Sequence, residues 1–418
     1  MFATNPKLKA TRFVVLGVFT LVTTAVVLSQ AANLKPLPQL LKNEPILSAK
    51  SSKGFQTVES ARFESKSSNK DLQGLKLVVF GDSWSDDGTR PDPDSKSFIP
   101  VKGEENNYYY NERNTGPHRY GKGENGRWAD GPVWPEYLSA FLKTEDYYNF
   151  AYGGAKVTNK FVDSPVPDLK TQYEQFLGFD LYSEDYFKTQ LAATLKGELE
   201  VSDEQLKEEA HAAFLESNRR TLFIFWFGIN DMLHYNTLLD DAQIRSDAVD
   251  YSVELLKNVT LDISARYPES NILINYSPDV TLFPVWTSRY LQDDVHLQRQ
   301  RETIKLTRKW NKLLMQNILK KWDTSRAFLQ VWDASTWFSH TLGGTSGDKW
   351  IHKTNPCFSH ETDTLCAKPK THLFWDAAHL TTEAHRVLAS RIYVLDLYNA
   401  VRRRNLGKPA RELNGLPS

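Results

Sequence analysis

A serine stands directly after an apolar run that has the composition of a buried strand. Residues 75–89 read LKLVVFGDSWSDDGT, so Ser83 follows the run in a Gly-Asp-Ser turn. In open α/β sheets, ligands bind and reactions occur at the carboxyl ends of the strands. A serine hydroxyl needs a base to take its proton and an acid to orient that base. Without them, Ser83 would be a turn residue or a helix cap, and Asp86 and Asp87 are expected to serve the turn.

A second segment, FWDAAHL, offers both a base and an acid just before a predicted C-terminal helix. Asp376 and His379 are three residues apart, so a loop can fold back and let the carboxylate support the imidazole. Taken alone, Asp376 is better explained as a cap of the last helix. The elbow pattern Gly-x-Ser-x-Gly is absent from the sequence, which removes the main support for the larger α/β-hydrolase fold.

Two further segments offer hydrogen-bond donors for an oxyanion. Asn230 lies in FGIND after a predicted strand, where its side-chain amide can point at developing negative charge. Gly153 and Gly154 lie in NFAYGGA after another strand, where a glycine lets a backbone N–H approach the same point. The N–H of Ser83 makes a third donor. Asn230 has an alternative role as the N-cap of a helix.

Four blocks of the chain resemble the GDSL esterase/lipase family, also called SGNH hydrolases. Gly-Asp-Ser, Gly, Gly-x-Asn-Asp and Asp-x-x-His follow one another in this order over residues 81–379. The segments NGRWADG and NFA look most like the fungal acetylesterase and plant extracellular branches, and some secreted bacterial phospholipases share them. The resemblance implies hydrolysis of carboxylic esters through an acyl-enzyme, with no metal and no cofactor. It also implies a three-layer α/β/α sandwich around a parallel sheet of about five strands, a flavodoxin-like arrangement.

The resemblance also assigns roles to residues. It makes Ser83 the nucleophile, His379 the base and Asp376 the acid that orients His379. The sequence has two glycines where the second block needs one. The implied oxyanion donors are therefore Ser83, Asn230 and Gly154, with Gly153 as the alternative to Gly154.

From residue 75 onward, short apolar runs alternate with longer helical stretches, as in a parallel sheet covered on both faces. The predicted strands are Leu75–Phe80, Tyr147–Phe150, Thr221–Phe227, Asn271–Tyr276 and Ala327–Trp332. The predicted helices are Trp134–Leu142, a helix from the capping box at Ser202 to Asn218, Asp250–Tyr267, Leu291–Trp322 and a final helix after Thr381 or Thr382. The hydrolase domain is expected at residues 73–405, after a lead-in at 32–72 and before a tail at 406–418.

The N-terminus has the order of a secretory signal. Basic residues precede an apolar stretch at 13–28, and small residues follow up to Ala31. We therefore expect a cleaved signal peptide at residues 1–31 and a secreted protein. The alternative is an uncleaved anchor, with the protein held at a membrane through residues 13–28.

Charge and cysteine usage agree with an exported protein that does not bind nucleic acid. The 418 residues carry 51 basic and 51 acidic side chains, so the formal net charge is zero. Cys357 and Cys366 are expected to pair as a disulfide in an oxidising compartment, two free thiols being the alternative. Asn258 stands in an Asn-Val-Thr acceptor pattern for glycosylation on a probable helix.

Several side chains suggest how a substrate would be held. Flat aromatic faces suit sugar rings, which points to short acyl groups, such as acetyl, on plant-wall carbohydrate. The same aromatic side chains have an alternative as core residues, and the reaction has an alternative in lipid acyl esters. A carbohydrate-binding protein without activity is a third reading, against which the complete set of catalytic residue types argues. The candidate substrate contacts are Trp84, Trp128, Tyr152 and Trp375, with His234 as a further residue near the site.

Overall fold

The computed structural model describes residues 75–393 apart from 93, 101–125, 180, 196–201, 290–293, 324, 349, 360, 361 and 363. The expected signal segment, the lead-in and the tail lie outside the described residues. Within the described part, no helix is both long enough and apolar enough to cross a bilayer.

Five parallel strands form the central sheet in the order β4-β1-β5-β6-β7. The strands are β1 Lys76–Gly81, β4 Asp146–Asn149, β5 Thr221–Trp226, β6 Asn271–Asn275 and β7 Phe328–Trp332. Each coincides with a predicted strand to within one residue at either end. The residues of β1 and β5 are almost all buried, which explains why they read as continuous apolar runs. The predicted fold class is confirmed.

Helices cover both faces of this sheet. Neighbouring residues of a strand point to opposite faces, and in β5 Phe223 packs against Phe176 while Trp226 packs against Trp134. The helices are α1 Trp134–Leu142, α2 Leu169–Phe179, α3 Glu184–Leu195, α4 Asp203–Arg219, α5 Ile229–Leu238, α6 Ala242–Arg266, α7 Pro284–Arg289, α8 Asp294–Leu313, α9 Ala334–Gly343 and α10 Thr382–Ile392. Two short hairpins are also present, β2 Thr89–Asp92 with β3 Ser97–Pro100 and β8 Phe358–Ser359 with β9 Thr364–Leu365.

The strand order reverses its direction at β1. From β1 the chain first adds β4 on one side and then β5, β6 and β7 on the other. Such a reversal opens a crevice at the carboxyl ends of the central strands, where doubly wound folds bind ligands. The Gly-Asp-Ser turn follows β1, the double glycine follows β4 and Asn230 follows β5. All three segments therefore lie at this crevice.

The sequence located some helices better than others. The capping box is confirmed, because Ser202 Oγ accepts the Gln205 N–H while Gln205 Oε1 accepts the Ser202 N–H. Helix α6 begins eight residues before the predicted start, at an N-cap made by Asp241. The α-helical part of α8 ends at Leu313. The rest of the predicted helix is a π-helical segment, Leu314–Ile318, and a 3₁₀-turn, Leu319–Lys321.

Candidate active site

Ser83, His379 and Asp376 form a hydrogen-bonded chain. Ser83 Oγ lies 2.9 Å from His379 Nε2. His379 Nδ1 lies 3.0 Å from Asp376 Oδ1 and 2.9 Å from Oδ2. The serine comes from the turn after β1 and the other two residues from the loop before α10, so the fold joins groups that are 296 residues apart.

Asp376 holds its own loop as well as the imidazole. Its Oδ1 accepts the backbone N–H groups of Ala378 and His379, each at 2.8 Å. The N-cap of α10 is Thr381, whose hydroxyl accepts the Ala384 N–H. The alternative of Asp376 as the helix cap is therefore wrong, and its carboxylate is directed at His379.

The disulfide hairpin β8–β9 lies against this loop. The N–H groups of Cys357 and Phe358 donate to the carbonyls of Phe374 and Trp375, at 3.0 and 2.6 Å. Cys357 and Cys366 are joined as a disulfide in the structure, and its formation in the exported protein stays a prediction. Main-chain bonds thus connect the loop that carries the acid and the base to a cross-linked hairpin.

Two histidines adjoin the disulfide. The rings of His352 and His372 stack 4.1 Å apart. The potential ligand atoms of His372 and the two cysteines lie within 4.8 Å of one another, but each sulphur is bonded to the other. The two cysteines therefore form a disulfide, beside which His352 and His372 stack.

The two glycines of the second block differ in their conformations and partners. The Gly153 N–H donates to Asp86 Oδ2 at 2.7 Å. A Cβ atom at Gly153 would lie 1.9 Å from Trp128 Nε1. Gly154 has φ +84°, and among the described residues no acceptor lies on its N–H. Of the two glycines, Gly154 thus has the N–H that is available to a ligand, and Gly153 has no room for a side chain.

Asn230 lies in the first turn of α5 beside this loop. The N-cap of α5 is Gly228, so the alternative of Asn230 as the cap is wrong. Asn230 Nδ2 donates one hydrogen bond to the Ala155 carbonyl at 3.1 Å, and an amide nitrogen carries a second N–H. The buried Asn275 holds the preceding turn, because its amide bonds both the N–H and the carbonyl of Phe227.

Three of the four aromatic candidates for substrate contact are buried and pack in the core, so their role in substrate contact stays a prediction. Trp84 is 1% exposed and donates its indole N–H to the Ala378 carbonyl. Tyr152 and Trp375 are each 5% exposed, the first hydrogen-bonded to Gln175 and the second stacked on Phe358. Trp84 follows Ser83 in the turn, and its ring stacks on Trp226 and Phe283.

Trp128 is the half-buried member of the four. Its ring centroid lies 5.2 Å from that of His379, with the planes tilted by 32°. Because the same indole covers Gly153, Trp128 forms one wall of the site between His379 and residues 150–155 after β4, which we call the oxyanion loop.

Burial shifts several titratable groups near the triad. Burial raises the pKa of Asp82 to about 8, an effect only partly offset by the Trp84 N–H that its carboxylate accepts. Burial lowers the pKa of His385 to about 3, and His379 adds to this shift. Burial and the charge of Lys156 lower the pKa of His234, one helical turn after Asn230, to about 4. The two histidines are thus neutral near pH 7.

Sequence reasoning missed Asp86 and Arg90 as site-forming residues. Asp86 was expected only to serve its turn, yet it also reaches the oxyanion loop 67 residues away. The spacing of an acid and an arginine four residues apart was the available signal.

At the predicted glycosylation position, Asn258 is exposed on α6 while Thr260 of the same pattern is buried.

A hydroxyl, an imidazole and a carboxylate in hydrogen-bonded order, with N–H donors beside the hydroxyl, are the parts of a serine hydrolase. A family model described as GDSL-like Lipase/Acylhydrolase matches residues 77–392. The chain belongs to this family.

More distant similarities exist to individual proteins. The chain is 21% identical over 286 residues to a protein named thermolabile hemolysin from Vibrio parahaemolyticus serotype O3:K6, covering 64% of this chain and 55% of that protein. The chain thus spans about half the length of this curated relative. A solved structure of Est24, described as a carbohydrate acetylesterase from Sinorhizobium meliloti, is 12% identical with a TM-score of 0.28, covering 77% of this chain and 99% of that one.

Proposed function

We propose that this protein is a serine esterase that hydrolyses carboxylic esters through an acyl-enzyme. The observation that carries this proposal is the hydrogen-bonded chain from Ser83 through His379 to Asp376. Such an array makes a serine nucleophilic, because the imidazole accepts the hydroxyl proton while the carboxylate stabilises the imidazolium. Membership of a family described as lipases and acylhydrolases supports the same reaction.

In the proposed reaction, Ser83 Oγ attacks the ester carbonyl carbon and His379 takes its proton. The negative charge on the former carbonyl oxygen is stabilised by the N–H groups of Ser83 and Gly154 and the amide of Asn230. His379 then protonates the departing alkoxide as the ester bond breaks. A water molecule, deprotonated by His379, attacks the acyl-enzyme and releases the acid and the free serine. Every proton is carried by a residue of the chain or by water, so the reaction calls for neither metal nor cofactor.

A fluorophosphonate and a simple acetyl ester test the reaction class. We expect stoichiometric labelling of Ser83, hydrolysis of the ester, and loss of both in Ser83→Ala. Labelling at another residue, together with an active Ser83→Ala, would show that the reaction uses a different nucleophile.

For the substrate we propose short acyl groups, such as acetyl, on carbohydrate of the plant wall. Its support is Trp128, a half-buried flat ring beside His379 on which a sugar can stack. The burial of Trp84, Tyr152 and Trp375 removes the rest of the aromatic surface on which this proposal first depended.

Lipid acyl esters are the second candidate. The family description includes lipases, and the curated relative is named a hemolysin. Esters from acetyl to palmitoyl on one leaving group, acetylated xylo-oligosaccharides and phospholipid vesicles separate the two. For a carbohydrate esterase, kcat/KM falls with acyl length and Trp128→Ala raises KM for the oligosaccharide more than for an acetyl ester without a sugar. A rising kcat/KM with chain length would reject the carbohydrate substrate.

We further propose that the protein is secreted, or held at a membrane through residues 13–28. The support is the order of basic, apolar and small residues in the first 31 positions. N-terminal sequencing of protein from the medium and from the membrane fraction checks this, because cleavage after Ala31 yields a chain that begins at Ala32. The balanced charge supports the absence of a nucleic acid partner.

A further inference from the structure

A buried carboxylate, that of Asp86, connects the turn after β1, which carries Ser83, to the oxyanion loop. Asp86 has no exposed surface. Its Oδ1 accepts the Gly88 N–H at 2.9 Å, within its own turn. Its Oδ2 accepts the Gly153 N–H at 2.7 Å, across the gap between the segments that follow β1 and β4.

Arg90 holds this carboxylate from the other side. Its two terminal nitrogens, Nη1 and Nη2, donate to Asp86 Oδ1 and Oδ2, each at 2.8 Å. The same guanidinium donates to the Ala151 carbonyl at 3.3 Å and lies 4.2 Å from the ring centroid of Tyr152. Both partners of the ion pair thus contact the oxyanion loop. Since a buried ion pair is weak evidence for stability, its placement suggests an orienting role.

The loop that Asp86 contacts carries the proposed donor in a turn of two glycines. The Ala155 N–H donates to the Tyr152 carbonyl, which closes a turn with Gly153 and Gly154 at its centre. Glycine has a wide choice of backbone conformations, and here two stand in succession. The end of the turn is held because the Ala155 carbonyl accepts the Asn230 amide. At its beginning, the peptide N–H of Gly153 is held by Asp86.

We propose that Asp86, fixed by Arg90, is a positioning residue that preorganises the Gly154 N–H for the oxyanion. This inference rests on the proposed esterase function. An oxyanion donor contributes most when it is already in place before charge develops. With the Tyr152–Gly153 peptide clamped at the start of the turn and Ala155 clamped at its end, the intervening amide keeps one orientation.

Asp86 is not the only connection between these segments, so its role can be separated from folding. Asn149 Nδ2 donates to the Ser85 carbonyl at 2.7 Å, and the Tyr152 N–H donates to the Gly81 carbonyl at 3.1 Å. These bonds remain when Asp86 is changed. We therefore expect Asp86→Asn, which retains size and an acceptor oxygen but loses the ion pair, to fold.

The test measures kcat per active site, counted by fluorophosphonate titration, together with KM for an acetyl ester. Loss of one oxyanion donor costs about 10²–10³ in rate, and Asp86→Asn should lose part of this, about 10–100-fold in kcat with KM changed less than about threefold. Asp241→Asn is the matched control, because Asp241 also accepts a backbone N–H, at the cap of α6. It should retain wild-type kcat.

A double-mutant cycle with Gly154→Ala distinguishes positioning from a general structural defect. Alanine at φ +84° is strained, so Gly154→Ala should itself displace the donor. If Asp86 acts through that donor, Asp86→Asn adds little in the Gly154→Ala background. Effects that multiply, or a kcat per site equal to that of the wild type in Asp86→Asn, would overturn the inference.

A second variant covers the case in which Asp86→Asn does not fold. Arg90→Lys keeps the charge but loses the two-pronged contact, and it should lower kcat several-fold with KM little changed. Unchanged kcat in Arg90→Lys would count against the clamp. A wild type that neither labels nor hydrolyses any ester would overturn the proposed function and this inference with it, whereas an active wild type with unaffected variants overturns the inference alone.

Discussion

The two loops that meet at Ser83 are held in different ways. The loop before α10, which carries Asp376 and His379, is held from within by the Asp376 carboxylate and from outside by main-chain hydrogen bonds to a hairpin. The Trp375 N–H donates to the His379 carbonyl at 2.8 Å, and the hairpin cross-linked at Cys357 donates two main-chain hydrogen bonds to the segment just before Asp376. The loop after β4 has main-chain bonds too, but three buried or half-buried side chains also join it to the turn after β1, namely Asp86, Arg90 and Asn149.

This difference predicts where the site tolerates substitution. Main-chain bonds persist when side chains change, so the acid–base loop should be sensitive at the reacting groups and at its disulfide. The oxyanion loop should also be sensitive at residues that never touch the substrate, because its two glycines depend on buried side chains for their orientation.

The largest effect is expected where both loops converge. Ser83→Ala and His379→Ala should each lower kcat by at least about 10⁴-fold, and the double variant should lose little more, because the two residues act as a unit. Steady-state kinetics on one acetyl ester measure all three. Near-normal turnover of His379→Ala at neutral pH would mean that another group is the base.

Asn230→Ala tests the oxyanion side, where we expect a smaller loss. Removing one oxyanion donor should lower kcat by about 10²–10³ with KM little changed. The control is Asn236→Ala on the same helix, a buried amide that bonds the Arg299 carbonyl and lies outside the proposed chemistry. A raised KM with unchanged kcat would show that Asn230 binds the substrate instead.

The disulfide provides a test of the acid–base loop. Closing a loop of this length contributes about 2–3 kcal/mol in the chain-entropy description, which depends on the model of the unfolded state. Reduction should lower activity at temperatures below those that unfold the protein, since the hairpin bonds the segment before His379. Peptide mass spectrometry of unreduced protein checks the bond itself. If reduction left the activity unchanged, the disulfide would not be needed to hold the loop that carries Asp376 and His379.

Asp82 is expected to affect stability more than turnover. Its folded-state pKa is raised to about 8, so between about pH 4 and pH 8 the folded state keeps a proton that the unfolded state has released. The stability that this proton linkage contributes is present below about pH 4 and is lost as pH rises through about 8. Asp82→Asn, which resembles the protonated acid, should remove this pH dependence. Urea unfolding at pH 5, 7 and 9 measures the free energy of unfolding of the wild type and of Asp82→Asn. If this free energy changed with pH in the same way in both proteins, the raised pKa of Asp82 would be contradicted.

The fold could be predicted from the sequence because its strands are buried on both faces. Such strands need continuous apolar residues, as in VVF of β1 and FIFW of β5, and this requirement is local. The positions of Ser83, Asn230, Asp376 and His379 at element ends were equally local. Helix α5 was considered only as a helix that Asn230 would cap, because its actual cap, Gly228 with φ +114°, offers no side-chain hydrogen bond as a signal.

Tertiary contacts decided what local pattern leaves open. Gly153 and Gly154 are identical in type, and only the approach of Asp86 and Trp128 to Gly153 makes them different. From the sequence, Trp84 could be a ring on which a sugar stacks or a core residue. In the structure it is buried and stacks on Phe283, as a core residue does. The sequence alone thus determined the sheet, the reacting groups and their order along the chain. Only the folded chain, by bringing distant segments into contact, determined which N–H groups remain for the oxyanion and which aromatic rings stay at the surface.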